Sequence, residues 1–446
     1  MTQASYVAPM PRKQQRAQRR SLGASTAGQV LEWYEWSAYA VFAPFIAQVM
    51  FNPDNPVSAL LSTLAVFAVG FIVRPLGGIV FGQIADRKGR KFVLITTMMS
   101  MAIASVLIGL LPTYETVGVW ASVMLLLLRV VQGFAHGGES AAANSYVAEI
   151  APPHRRGQWG SVVFIAIFGG SVLAYSVGGV ITFNAEDSFV LEWGWRIPFW
   201  LGAVLAVVAL YMRLGMAESA TFEEVTRDEI TADEVAAQTE PEPEVAAAVA
   251  RKSPVKSILL IIAMVSGVTC AHYTWTSYVS TYAIVEQGMD ANSAYWVTVV
   301  AQIVALAALP LWGRFSDRIG RKPVLYTFAI AMALGQFPLM GLISDQPWTL
   351  LVASMAALLI VGAAGALLSC VMSEVFPTAQ RTRNIGLAYS LSVAVFGGFA
   401  PYLNQLFNSV GMQWMSNAYV VVLCVVTLIA VKLLPETRGV DLNAVR

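Results

Sequence analysis

Six residues of kinds that carry protons or bind anions stand inside otherwise apolar runs: Glu32, Glu35, Arg74, Arg129, His136 and Glu139. A charged side chain in mid-bilayer costs roughly 2.5–3.5 kcal/mol on insertion scales. Such residues persist where they pair, line a path for ions or handle a substrate. Spacing gathers these ones. Glu32, Glu35 and Tyr39 follow an i, i+3, i+7 pattern, which predicts one shared helical face. Arg129, Gln132, His136 and Glu139 continue through i+10, a stripe about 15 Å long. Arg74, just before Pro75, falls near the depth of Glu139. Three carboxylates against two guanidiniums leave one negative charge in excess, so one carboxyl should take up a proton readily. A guanidinium suits bidentate binding of a carboxylate. The chemistry open to the group is proton carriage and anion recognition. His136 adds a group that titrates near neutral pH, against the plainer reading of a neutral core histidine.

The elements that position these residues are membrane spans. The chain is 57% hydrophobic and 12% charged, against about 25% charged in soluble domains. Twelve stretches reach the ~20 apolar residues that a span needs: roughly 26–50, 58–82, 92–112, 120–147, 158–183, 197–212, 257–285, 293–313, 323–343, 349–372, 385–408 and 414–431. With the N-terminus inside, 25 of the 28 Lys and Arg residues fall in inner segments and only Arg196 in an outer loop. Both termini are therefore expected to be cytoplasmic. The basic start precedes an apolar run too long for a signal peptide, which predicts that it is retained as the first helix.

A polar stretch, 216–254, divides the chain into 1–215 and 255–446. Between Glu218 and Glu244 it holds ten acidic residues and one basic, Arg227, and it reads as a solvated cytoplasmic linker. Three cysteines without a CxxC and three histidines without ligand spacing predict neither a disulfide framework nor a metal site. No GxxxxGK[ST] occurs, so ATP is not expected to drive the protein. No nucleophile–base arrangement marks an enzyme, and a net charge of +1 argues against nucleic acid as a partner.

Gly82-Gln-Ile-Ala-Asp-Arg-Lys-Gly-Arg-Lys91 recurs as Gly313-Arg-Phe-Ser-Asp-Arg-Ile-Gly-Arg-Lys322, with six matches at an offset of 231. Both copies join the second span of a half to the third. Such internal repetition marks secondary transporters built of two related bundles. The pair of loops resembles the signature of the major facilitator superfamily. The resemblance implies an all-α fold of twelve transmembrane helices in two pseudo-symmetric six-helix bundles, with no cofactor. It also implies a cytoplasmic latch of Gly82, Asp86, Arg87, Gly89, Arg90 and Glu149, repeated as Gly313, Asp317, Arg318, Arg321 and Glu374. Gly82 and Gly313 would allow close helix approach, Asp86 and Asp317 would receive amides from a helix N-terminus, and Arg90 and Arg321 would pair with Glu149 and Glu374.

Within that superfamily, Glu32-Trp-Tyr-Glu-Trp36, Phe71-Ile-Val-Arg-Pro-Leu-Gly-Gly78 and Gln132-Gly-Phe-Ala-His-Gly-Gly-Glu139 resemble the metabolite:proton symporters, whose members carry shikimate, α-ketoglutarate, citrate, or proline and betaine. The sequence departs from that pattern where a substrate would sit. Glu35 stands for the usual Asp, Trp36 for Phe, Ser140 for an aromatic, and His136 for a small or apolar residue.

In this fold the first and fourth helices of each half line the cavity. The second half lacks the charges: Glu139 corresponds to Ala364, Arg129 to Ser354 and Glu35 to Thr274. Tyr34, Trp36 and Tyr39, by contrast, recur as Tyr273, Trp275 and Tyr278. The scaffold was duplicated and the charges were not.

The expected carrier imports a small carboxylate with protons through the bacterial inner membrane, as a monomer embedded in lipid. Proton coupling falls to Glu35, Glu32, Glu139 and His136. Substrate binding falls to Arg129, Arg74, Tyr39 and Gln132, with His272, Tyr273, Trp275 and Tyr278 facing them. A proline/betaine-type symporter, a sugar porter (Leu434-Pro-Glu-Thr-Arg-Gly439 resembles that branch's closing motif), an uncoupled or antiporting facilitator and a membrane receptor remain as alternatives.

Overall fold

The computed structural model describes residues 12–88, 90–137, 147, 151–183, 185–214, 254–377, 380–440 and 442. All regular structure among them is helical. Helix α1 runs Arg12–Val41 and, past a break at Phe42, Ala43–Met50; α2 is Pro56–Ile72 and Arg74–Lys88. Then come α3 (Arg90–Leu110), α4 (Val119–His136), α5 (Arg156–Thr182) and α6 (Ile197–Leu214). The second set opens with α7, made of Pro254–Tyr273, a π-helical turn Thr274–Tyr278, and Val279–Val285. It continues with α8 (Ala291–Ile319), α9 (Arg321–Leu342) and α10 (Pro347–Gly365 and Leu368–Val375). Helix α11 is Arg381–Ser392, a π-helical segment Val393–Gly398 and Ala400–Ser409, and α12 is Gln413–Leu433. The acidic stretch 216–254 lies, but for its last residue, outside the described residues.

Ten of these helices are long and apolar enough to cross a membrane. The others are α1, which carries Glu32 and Glu35 and is interrupted at Phe42, and α3, whose apolar part is the shorter Ile95–Leu110. In hydrocarbon every backbone group must be satisfied within the protein, which is why spans are helices.

The irregular points follow from local chemistry. Pro44 sits in the first turn of the second piece of α1; it has no N–H to give and cannot continue a regular ladder. The Phe45 amide turns to Phe42, and the Val41 carbonyl accepts the Tyr295 hydroxyl of α8 at 2.7 Å. The π-turn of α7 is bridged in the same way, the Tyr175 hydroxyl of α5 donating to the Thr276 carbonyl at 2.8 Å. π-turns often mark functional segments.

Close contact is set by glycine at two crossings. A Cβ on Gly133 would lie 2.0 Å from the Gly70 carbonyl oxygen, so α2 and α4 touch through backbone. A Cβ on Gly313 would lie 2.4 Å from the Gly157 oxygen, and one on Gly157 would lie 2.8 Å from the Gly313 oxygen. Helices α5 and α8, one from each half of the chain, are thus locked backbone to backbone at the end that carries the repeated loops. At the other end the Asn292 amide donates to the Gly179 carbonyl at 2.6 Å and Tyr295 holds α1. Among the described residues the two halves are thus joined at both ends.

Candidate functional site

Helices α1, α2 and α4 bring together most of the charges that the sequence places inside spans. Arg74 and Arg129 are 4% and 0% exposed. Their guanidinium carbons lie 4.0 and 4.1 Å from the Trp36 ring centroid. Arg74 also stands over Phe71 at 3.8 Å, and Arg129 over Tyr39 at 4.4 Å. Arg129 Nη1 donates to Gln132 Oε1 at 2.7 Å, and Gln132 Nε2 donates to Ser105 Oγ of α3 at 2.8 Å. That relay sets the height of the guanidinium, but Nε and Nη2 of both arginines have no hydrogen-bond partner among the described residues.

The carboxylates part company. Glu32 pairs with His136 Nδ1, the same nitrogen that receives Trp36 Nε1–H at 3.3 Å. Glu35 turns toward α6, where a Cβ on Gly202 would come 3.2 Å from its Cγ. Neither of its oxygens has a hydrogen-bond partner among the described residues. Tyr39 turns toward α2 and donates to the Thr63 carbonyl at 3.0 Å. One shared face for Glu32, Glu35 and Tyr39 is therefore too simple: three neighbouring helices each take one of them. Glu139 lies outside the described residues.

From the second half, His272 and Tyr273 reach this region. With Trp33, Trp36, Ser37, Phe67, Ile167, Ser171, Thr276 and Ser277 they line a cavity of about 10 Å³, room for roughly one water. His272 is packed against Phe164 and Phe168 at ring distances of 5.4 and 5.5 Å. Tyr273 meets Phe71 edge-on at 5.2 Å, and its hydroxyl has no partner among the described residues. Trp275 and Tyr278, expected at the same surface, face into their own half. Trp275 Nε1 donates to Gln336 Oε1 at 3.0 Å, and the Tyr278 hydroxyl donates to Gln405 Oε1 at 3.0 Å. Both lie within the π-helical turn Thr274–Tyr278, whose wider winding sets their direction and is not displayed by the residue order.

The second copy of the repeated loop forms a knot of charge. Asp317 accepts the Gly157 and Gln158 amides of α5 at 2.8 and 2.9 Å and Arg321 Nη1 at 2.7 Å. Glu374 accepts Arg321 Nη2 at 3.0 Å, Arg156 Nη1 at 3.1 Å and the Thr437 hydroxyl at 2.6 Å. Arg318 borders a hollow of about 330 Å³ with His154, Arg155, Gln158, Arg314 and Asp317. Gly313 makes the close approach expected of it; Gly82 is exposed, with nothing within 4 Å of where a Cβ would stand. Gly89, Glu149 and the side chains of Asp86, Arg87 and Arg90 lie outside the described residues.

The family model for the sugar (and other) transporters matches residues 21–446. The α-ketoglutarate permease of Escherichia coli (strain K12) is 33% identical over 420 residues, 94% of this chain and 93% of its own length. The shikimate transporter of the same strain is 31% identical over 436 residues, 95% of each chain. The ectoine/proline transporter of Corynebacterium glutamicum is 33% identical over 425 residues, 94% of this chain and 84% of its own length. Among solved structures, the major facilitator proton:xylose symporter bound to 6-bromo-6-deoxy-D-glucose superposes with a TM-score of 0.75 at 18% identity, covering 97% of this chain and 98% of its own. A partially occluded inward-open form of the E. coli xylose transporter gives 0.73 at 20% identity, covering 96% and 100%. At such identities these two likenesses speak for the fold alone.

Sequence reading passed over Arg156, which is 2% exposed and donates to both Glu374 and the Val440 carbonyl. It also passed over Glu436, which accepts the Arg321 and Lys322 amides and so caps α9. In the sequence Arg156 stands as an inner-loop positive charge and as the end of Ala148–Arg156, which is matched by Ser373–Arg381 in the second half, and neither feature identifies a partner for it. Breaking a buried ion pair costs about 3–5 kcal/mol, because the partner charge is left uncompensated. Glu374→Gln leaves Arg156 and Arg321 facing each other, and a clear fall in the thermal midpoint of the purified protein is expected. An unchanged midpoint would show that this knot does not hold the halves.

Proposed function

The chain belongs to the sugar (and other) transporter family of the major facilitator superfamily, and on that premise we propose that it imports a small organic acid together with protons. One observation carries the reading: the buried Glu35 oxygens and the Nε and Nη2 groups of Arg74 and Arg129 make no close hydrogen bond among the described residues, with Ser105 beside Glu35 and Tyr273 beside Arg74 as their neutral neighbours. A buried ion without partners is costly. The carboxylate is relieved by a proton and the guanidiniums by an anion, so the two cargoes of a symporter answer the two deficits. The relatives named for α-ketoglutarate and shikimate support an acid as cargo.

In this reading Arg129 and Arg74 hold the carboxylate, with Tyr39, Gln132, His272 and Tyr273 around them, while Trp275 and Tyr278 shape α7 from behind. Glu35, Glu32, His136 and Glu139 handle protons. The bundles 1–215 and 255–446, joined by the acidic linker, move about the site within the inner membrane, with both termini cytoplasmic. The knot at Asp317, Arg321 and Glu374 closes the cytoplasmic side. A zwitterion such as proline or betaine is the second reading. The ectoine/proline relative favours it.

Uptake of ¹⁴C-labelled α-ketoglutarate, shikimate, proline and betaine into energised right-side-out vesicles decides between them. Accumulation of an acid should collapse with a protonophore and need neither ATP nor sodium. Accumulation driven by a sodium gradient alone would sink the symport reading. Arg129→Lys keeps the charge and loses the fork, so affinity for the acid should fall roughly tenfold to a hundredfold with little change in thermal midpoint. Unchanged affinity would move the substrate elsewhere. Glu35→Gln mimics the protonated group permanently and should abolish proton-driven accumulation while counterflow exchange survives. Uphill accumulation with an intact pH dependence in that variant would transfer the role to Glu139 or His136.

A further inference from the structure

Two of the positions at which this sequence departs from the metabolite:proton symporter pattern, Trp36 and His136, meet in space. The indole Nε1–H of Trp36 donates to His136 Nδ1 at 3.3 Å, and the Glu32 carboxylate contacts that same nitrogen. One ring nitrogen cannot serve both neighbours in one protonation state. With its lone pair free it accepts the indole N–H. Carrying a proton it donates to Glu32, and the indole loses its acceptor.

The indole is in turn fastened to the arginines. Its centroid lies 4.0 Å from the Arg74 guanidinium carbon and 4.1 Å from that of Arg129. Its benzo edge fills a slot left by Gly70, where a Cβ would come 2.7 Å from Cη2, and Phe71 packs against it at a ring distance of 4.4 Å, tilted by 53°. A packed ring of this kind has few alternative seats, so a change in its hydrogen bond is felt by both guanidiniums. We infer that Trp36 is the positioning residue through which a proton at His136 resets the two arginines, and thereby the affinity for the carried anion. This rests on the reading of Arg74 and Arg129 as the carboxylate site.

Among the described residues, the charged and titratable groups around this pair include Glu32, Glu35 and Tyr39 on α1, Arg74 on α2, Arg129 on α4, Tyr273 on α7 and Tyr389 on α11. Helix α3 adds the neutral Ser105. Glu32 is the member in contact with the imidazole, so it and His136 share the proton. Arg74 and Arg129 face the indole rather than that nitrogen.

The test uses the full chain labelled with 5-fluorotryptophan, with the Trp36 resonance assigned by its loss in Trp36→Phe. Without substrate, that ¹⁹F resonance should move as pH is scanned between about 5 and 8, and His136→Gln should hold it still. In parallel, the affinity for α-ketoglutarate is followed over the same range. Trp36→Phe keeps an aromatic face and loses only the donor, so the pH profile of affinity should flatten, whatever the affinity at any one pH. A Trp36 resonance that ignores pH, or a Trp36→Phe protein that keeps the original profile, overturns the inference and leaves the indole as packing. If the resonance titrates while no organic acid binds, the proton link stands and the carboxylate reading fails.

Discussion

A guanidinium enclosed in an apolar bundle must find compensation within a few ångströms, and Arg74 and Arg129 find much of theirs on the rings of Trp36, Phe71 and Tyr39. A desolvated cation–ring contact stabilises by about 2 kcal/mol, and each arginine makes at least two, against a placement cost of roughly 2.5–3.5 kcal/mol. Rings neutralise no charge and accept N–H poorly. They hold the arginines in place while leaving the fork of each one open to oxygen acceptors. The rest of the site is arranged around that incompleteness: Gln132 and Ser105 fix the height of Arg129, and Gly70 and Gly133 bring α2 and α4 close enough for one indole to touch both guanidiniums.

The opposite treatment of charge appears near the end where α5 crosses α8. Glu374 is fully buried, yet it accepts from Arg156, Arg321 and Thr437, and Asp317 accepts two amides and a guanidinium. Satisfied buried networks rigidify and specify one arrangement. Two carboxylates in one molecule thus have different work. Glu374 is saturated with donors and joins the halves, whereas the buried Glu35 oxygens make no close hydrogen bond among the described residues.

The two halves are joined at both ends by contacts of different kinds. At one, helix amides meet Asp317; at the other, tyrosine hydroxyls and the Asn292 amide meet carbonyls, at the break of α1, within the π-turn of α7 and at Gly179. Those to carbonyls are single hydrogen bonds worth about 1 kcal/mol net each, whereas the two amides on Asp317 meet a charged acceptor and bind it more strongly. A few such contacts are enough to favour one arrangement and few enough to be exchanged for others.

Much of this was readable from residue order. Span length, the bias of Lys and Arg, the repeated Gly-x-x-x-Asp-Arg-x-Gly-Arg-Lys loop and the buried Glu, Arg and His residues all depend on local composition and on helical period, which a linear chain displays. The pairing of Arg321 with Glu374 followed from the repeat. Other features required the fold. Whether Glu35 faces α4 or α6, whether Trp275 looks into the cavity or away from it, and that Trp36 and His136 share a hydrogen bond are set by the rotation and depth of each helix against its neighbours. Those quantities come from glycine crossings and packing, contacts between residues far apart in sequence. The chain by itself determined which charged groups stand inside apolar spans. Tertiary structure decided which of them touch, because a hydrogen bond reaches only about 3 Å and helical period locates a side chain to no better than a face.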